Sequence, residues 1–367
     1  MNKKEVLEIR KQFTPENCTI TRICGCYVDG EKNKKTELKE AFLSLSDEEM
    51  FKYFDIFKKT LSGTIGKNML NMEFPLEQEM PGGTQEFLLK LKNSKLQDDM
   101  LLEEFYDKVI ENYIYEENYY IILIHAMYDV PGKSSDDLEM YDASDVVYEY
   151  LLCSICPVSL SKAGLCYNAE DNRIEDRIRD WIVDMPDKGF LFPAFNDRNT
   201  DLHGVLYYTK KSSNLQEELI DQVLGAKMPM SADTQKETFQ ALIEDTLGED
   251  GDYETVRNIH DTLNDLIEEH KEESEPLALD KTDMRKIFEN SGVSNEQMEW
   301  FDQVFEENAG EKTSLLAANI AETKKFHIET PDVVIKVNPV RSDLIETRMI
   351  DGRQCLVIPV DDHIEIN

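Results

Sequence analysis

A chain of 367 residues, 41% of them hydrophobic and spread along its whole length, holds enough apolar material to bury a core, which argues against intrinsic disorder. Its net charge of −35, from 40 basic and 75 acidic side chains, opposes long-range attraction to phosphate backbones and anionic lipid. No run approaches the roughly 18 apolar residues that a membrane helix needs. Length suggests two domains or one large one. Residues 1–13 alternate charged and apolar side chains and lack the apolar core of a signal peptide, so retention in the cytoplasm is expected.

Residues 3–13 read as a short amphipathic helix ended by Thr14-Pro15, and residues 18–28 as a strand closed by an Asp29-Gly30 turn. Ser46-Asp47-Glu48-Glu49 is a capping box that opens a helix with Met50, Tyr53, Phe54, Phe57 and Leu61 on one stripe. Gly63 and Gly66 stop it. After the Pro81-Gly82-Gly83 loop, a helix is predicted over 84–92, then a longer one carrying Leu102, Phe105, Tyr106, Val109, Ile110 and Tyr113. Residues 119–128 are almost continuously apolar, interrupted by His125. That pattern predicts a central strand covered on both faces. A polar loop over 130–145 and strands over 146–158, 190–195 and 203–209 follow. Helical periodicity then occupies 214–225, 231–247, 253–271, 281–290 and 295–308, the last with Ser294 and Gln297 as a capping box. From residue 325 strands return: Val333, Ile335 and Val337 alternate, Asp351-Gly352 marks a hairpin, and Ile364 and Ile366 suit an edge strand.

Charge is unevenly placed. Residues 1–100 hold 16 basic and 17 acidic side chains, residues 101–367 hold 24 and 58. A surface that meets a polyanion therefore belongs to the first third, with Lys32, Lys34, Lys35, Lys58, Lys59 and Lys67 as candidates; the plainer reading is a set of solvated lysines. Cys24 and Cys26 would share a strand face and, with Cys153 and Cys156, could form a soft-metal site. Residues three apart on a strand face opposite sides, however, so core packing is the expected role of these thiols. Residues 62–68 echo a phosphate loop but have the wrong glycine spacing and Asn68 after the lysine. The acidic run 245–252 fails as a calcium loop because Arg257 stands where a glutamate belongs. His203, polar and beside Gly204, is the best catalytic candidate, with Asp201 or Asp197 as its carboxylate. No nucleophile elbow or zinc-protease helix is present in the sequence.

The stretches Phe13-Thr14-Pro15-Glu16-Asn17-Cys18, Ile23-Cys24-Gly25-Cys26-Tyr27-Val28-Asp29-Gly30-Glu31-Lys32 and Lys59-Thr60-Leu61-Ser62-Gly63-Thr64-Ile65-Gly66-Lys67 resemble an uncharacterised family of Gram-positive anaerobes, along the whole chain. That resemblance implies no activity, cofactor or site. The order of elements is also similar to that of the bacterial nucleoid-associated protein family, on architecture alone.

The fold expected is α+β: an α+β domain over 1–212 with central buried strands, an acidic helical region over 213–310, and C-terminal strands over 311–367, either a subdomain or paired with the first sheet. The function expected is that of a non-enzymatic cytoplasmic binding protein, with a protein partner or nucleoid DNA as target and no cofactor or membrane. A homodimer is compatible with the sequence. The alternatives are a hydrolase built on His203 and a metal or redox sensor built on the cysteines.

Overall fold

The computed structural model describes residues 1–133, 139–140, 146–248, 253–321, 326–330, 333–337, 345–351 and 353–359. Two compact units emerge, Met1–Ser231 and Ala232–Asn367.

The first unit opens with α1 (Lys3–Arg10), capped by Asn2 and Glu5. β1 (Ile20–Val28) and β2 (Lys34–Ala41) flank a turn in which Asp29 Oδ1 accepts from the N–H groups of Glu31 and Asn33. α2 (Asp47–Thr60) starts at the predicted capping box: Ser46 Oγ accepts from the Glu49 N–H at 3.3 Å, and the Glu49 carboxylate from the Ser46 N–H at 3.2 Å. Then come β3 (Met69–Glu73), the short α3 (Leu76–Glu79), α4 (Thr84–Asn93) and α5 (Asp99–Asn112). β4 (Tyr119–Val130), the two-residue pair β5 (Gly132–Lys133) and β6 (Glu139–Met140), and β7 (Val146–Leu160) follow. A hairpin of β8 (Leu165–Asn168) and β9 (Arg173–Asp176) leads to β10 (Trp181–Val183) and β11 (Lys188–Phe192). A second hairpin, β12 (Ala194–Asn196) and β13 (Asn199–Asp201), precedes β14 (Gly204–Thr209) and α6 (Glu217–Leu219), which runs into a π-turn over Ile220–Leu224.

The main sheet runs β2-β1-β4-β7-β11-β14-β3, with β10 attached to β7. Every neighbouring pair is antiparallel. Strand alternation sends Cys24, Cys26, Ile121, Leu123, Cys153 and Phe190 into a core shared with α4, α5 and α6. On the opposite face Ile23, Ile122, Ile124, Leu152 and Leu191 pack with α1 and α2. Each fully buried Leu or Ile contributes about 1.5–3 kcal/mol. Helices on both faces explain why β4 is apolar throughout; such runs are usual in parallel sheets, and here the same double coverage acts on an antiparallel one.

The structure departs from expectation at two places. The first unit extends past residue 212, because Leu215, Leu219, Ile220, Val223, Leu224 and Ala226 are buried in its core. The strand expected over 190–195 breaks at Pro193, which lacks the N–H a ladder needs. Among the described residues the C-terminal strands pair hairpin by hairpin within the second unit.

That unit contains α7 (Ala232–Leu247), α8 (Tyr253–Glu269), β15 (Ala278–Leu279), α9 (Lys281–Asn290), α10 (Phe301–Ala309), β16 (Leu315–Leu316) and α11 (Ala317–Ile320). The hairpins β17 (Phe326–Thr330) with β18 (Val333–Val337) and β19 (Glu346–Ile350) with β20 (Arg353–Val357) complete it. Phe239, Leu263, Phe288, Phe301 and Phe305 are buried there, with the Phe288 and Phe301 rings 5.0 Å apart. Ser294 Oγ accepts from the Gln297 N–H, as its capping pattern predicts. The expected edge strand at Ile364 and Ile366, Gly352 of the hairpin turn, and residues 249–252 of the acidic run lie outside the described residues.

Candidate functional site

The six candidate lysines fall at three places. Lys32, Lys34 and Lys35 lie at the β2 edge of the sheet, Lys58 and Lys59 in the last turn of α2, and Lys67 in the turn leading into β3, at the opposite edge. Lys34 is ion-paired with Glu103 of α5 and lies 2.7 Å from Asp107. Lys35 Nζ lies 2.7 Å from Asp29, whose carboxyl is held down to about 2 by that lysine and by the Asn33 N–H. Lys32 Nζ donates to the Glu111 carbonyl at 3.2 Å. The candidate lysines thus lie at three places on the first unit, and Lys34 and Lys35 at the β2 edge neutralise acids. Around Lys67 the N–H groups of Lys67, Asn68 and Met69 all turn inward to the Thr64 carbonyl, at 3.1, 2.8 and 3.2 Å. They form a turn, not a phosphate cradle.

His203 does not meet the carboxylates expected for it. Its Nδ1 lies 2.6 Å from Glu79 Oε1 of α3, a contact that raises its pKa above the ordinary histidine value. Asp201 instead accepts from the His203 backbone N–H at 3.0 Å and from Asn196 Nδ2 at 2.6 Å. Asp197 and Arg198 occupy left-handed positions in the β12–β13 turn. Asp201 and Asp197 thus shape turns, and the His203 pair is relocated to Glu79.

Cys24 and Cys26 share a face, as their spacing predicts, and are fully buried. Cys153 joins their side of the sheet, while Cys156 points to the other, as the strand pleat requires. Burial pushes the Cys26 thiol up to about 12 and raises Cys24, Cys153 and Cys156 as well. Among the described residues no cluster of three or more His, Cys, Asp or Glu side chains could hold a metal ion. Gly25 has a packing reason: a Cβ there would lie 2.1 Å from Tyr120 Oη.

One polar constellation escaped sequence reasoning. Thr21 Oγ1 lies 2.6 Å from His125 Nδ1, His125 Nε2 lies 2.8 Å from Glu149 Oε1, and Glu149 Oε2 lies 3.0 Å from Lys92 Nζ. Thr21 sits at a register shift in the β1–β4 pairing, Glu149 is on β7 and Lys92 on α4. Burial lowers the His125 pKa despite the Glu149 hydrogen bond. Glu149 is driven up by burial, but its bonds to Lys92 and His125 outweigh that and leave it lowered. A neutral imidazole donating from Nε2 to Glu149 leaves Nδ1 as an acceptor for the Thr21 hydroxyl, which also lies 3.1 Å from the His125 carbonyl oxygen. The signal in the sequence was one histidine inside an otherwise apolar strand.

The second missed feature is apolar. Leu165 and Ile174 of the β8–β9 hairpin, Ile178, and Trp181, Ile182 and Val183 of β10 are all exposed, with Ile178 at 84% and Leu165 at 77%. Beside them Ile182, Val183 and Met185 line a cleft of about 410 Å³ with Tyr53 and Ile56 of α2 and Tyr120 of β4. Glu49 and Asp55 stand on its rim with Lys52. The signal was an uninterrupted Trp-Ile-Val run between Asp180 and Asp184, in a stretch without helical periodicity.

Among the described residues no helix is long and apolar enough to cross a membrane. None of the curated proteins compared with the chain matches it. A family model does match, that of a domain of unknown function, DUF4317, over residues 1–367, so the chain belongs to the DUF4317 family.

Proposed function

We propose that this chain is a non-enzymatic binding protein whose target is another protein, met through the face formed by β8, β9 and β10. The observation that carries the reading is the exposure of five large apolar side chains, Leu165, Ile174, Ile178, Trp181 and Ile182, within the single stretch 165–182. Monomers rarely leave so many large apolar side chains together in water without a partner for them. Nucleoid DNA is the weaker target, since Lys34 and Lys35 already face carboxylates and Lys67 lies at the far edge of the sheet. A photo-crosslinking residue placed at Leu165 or Ile178 in cells should give protein adducts. Adding Ile174→Asp should remove them, while the same probe at exposed Lys59 should give none. Adducts that survive Ile174→Asp, or appear equally at Lys59, would overturn this reading.

A second reading, hydrolysis, rests on the hydroxyl–imidazole–carboxylate alignment of Thr21, His125 and Glu149. Such groups are recognised by geometry and role, not by position in the chain. A fluorophosphonate probe should then label Thr21, and His125→Ala should abolish labelling. An unlabelled Thr21 in folded protein ends that reading.

A further inference from the structure

Strands at the rim of a sheet carry unpaired N–H and C=O groups, and natural proteins protect such rims with charge, cover or distortion. The main sheet protects two of its edges. β2 carries Lys34, Lys35, Glu37, Lys39 and Glu40, and Lys34 and Lys39 are tied to Asp107 and Asp99 on α5. β3 is covered: the Gly66 N–H bonds to the Met69 carbonyl at 2.7 Å, the Lys227 N–H to the Glu73 carbonyl at 2.8 Å, and the Asn71 side chain holds Met1.

The β10 edge is different. Among the described residues β10 pairs only with β7, through Trp181–Leu160, Ile182–Ser159 and Val183–Val158. The chain keeps following β7 beyond β10, with the Asp184 N–H on the Pro157 carbonyl and the Asp187 N–H on the Ile155 carbonyl. β14 takes up the outer side only from Asp187 onward, where the Lys210 N–H reaches the Asp187 carbonyl. Residues 181–185 therefore offer an open rim, the three-residue β10 continued to the bend at Met185 and ended by Pro186, which has no N–H to offer. The strand itself bears no charge, and its three side chains are exposed.

We infer that this rim is a strand-addition site, which takes an extended apolar segment flanked by Lys or Arg from a partner protein; the inference rests on the protein-binding reading above. The incoming strand would pair its backbone with residues 181–185 and send alternate side chains into the cleft of Tyr53, Ile56, Tyr120 and Met185. Charge selects the flanks. Asp180 and Asp184 bracket the strand, and Glu49 and Asp55 rim the cleft against one cation, Lys52. Of the arginines in the preceding segment, Arg173 and Arg179 are engaged, by Glu175 and by the Ser161 carbonyl, and Arg177 is an exposed cation beside the acidic pair. A second copy of the chain is the poorer occupant: antiparallel pairing centred on Ile182 would set Asp180 against Asp184 of the other copy, and like charges directly opposite destabilise a ladder.

The test uses the full chain with Trp300→Phe, which leaves Trp181 as the sole tryptophan. Three synthetic peptides share a seven-residue alternating Val/Thr core: one with two lysines at each end, one with two glutamates, and one with lysines and alternate backbone N-methylation. The lysine peptide should shift Trp181 emission and slow amide exchange at residues 181–185. The glutamate and N-methylated peptides should bind at least ~10-fold more weakly at low salt. Equal binding of the lysine and N-methylated peptides would overturn strand addition, and equal binding of lysine and glutamate flanks would overturn the charge selection. A stable dimer lost on Ile182→Asp would replace the foreign partner with a second copy. If no peptide binds while the Leu165 crosslinks form and disappear with Ile174→Asp, strand addition falls and the protein-binding reading stands; if the crosslinks fail too, both fall.

Discussion

Gly25 lies where the Tyr120 ring crosses β1, so the central residue of Cys24-Gly25-Cys26 is set by its neighbour on β4. Gly25→Ala should lower stability by about 1–3 kcal/mol, the cost of overpacking a filled core, as read from a urea midpoint. The flanking cysteines face the other side and are buried there. In native protein a thiol reagent should titrate the half-buried Cys18, Cys166 and Cys355 first and reach Cys24, Cys26, Cys153 and Cys156 only on unfolding. Early loss of all seven thiols would contradict the packing described. The spacing of Cys24 and Cys26 made their common face legible. Tyr120 was not legible as its cause, because a contact between residues so far apart in the chain leaves no local pattern.

Elements were readable where one face of a local period is enough to define them. The Ser46–Glu49 box and its stripe mark α2, and continuous apolarity marks β4 and β7. β2 was hidden because its Lys-Lys-Thr-Glu-Leu-Lys-Glu-Ala sequence suits an edge and carries no core signal. How α2 seats on the sheet is a pairwise matter: Thr60 Oγ1 and Ser154 Oγ lie 2.7 Å apart, and a Cβ on Gly189 would come within 2.6 Å of Thr60 Cγ2. Thr60→Val should cost about 1–3 kcal/mol by orphaning the Ser154 hydroxyl, and adding Ser154→Ala should recover most of it. The His125–Glu149 link ties β4 to β7 and gives stability a pH dependence. His125 has its pKa lowered by folding, so the unfolded chain binds more protons. Its contribution is complete above the unfolded value of about 6.5 and is lost as pH falls through the depressed folded value. Glu149, also lowered, adds a loss of the same sign further into acid. Denaturant midpoints should therefore drop between pH 7 and 5, and His125→Gln should flatten that drop.

For the whole molecule, the sum of charges was plain in the sequence and its placement was not. The tally suggested a usable positive region in the first third, yet Lys34 and Lys35 spend their charge on Asp107 and Asp29. Reversing Lys32, Lys34 and Lys35 to glutamate should leave retention on DNA cellulose unchanged, a result that salt-sensitive loss of retention would contradict. The exposed face on β8, β9 and β10 was equally silent, because exposure depends on what fails to cover a segment.

The order of strands has a temporal consequence. β1 must wait for β4, about a hundred residues later, and among the described residues β3 at residues 69–73 finds its one ladder neighbour at residues 204–208. At roughly 5–20 residues per second on a ribosome, that second delay is on the order of ten seconds. Throughout it Met69, Leu70 and Met72 have no place to hide, so the nascent polypeptide should be a client of holding chaperones until β14 has emerged.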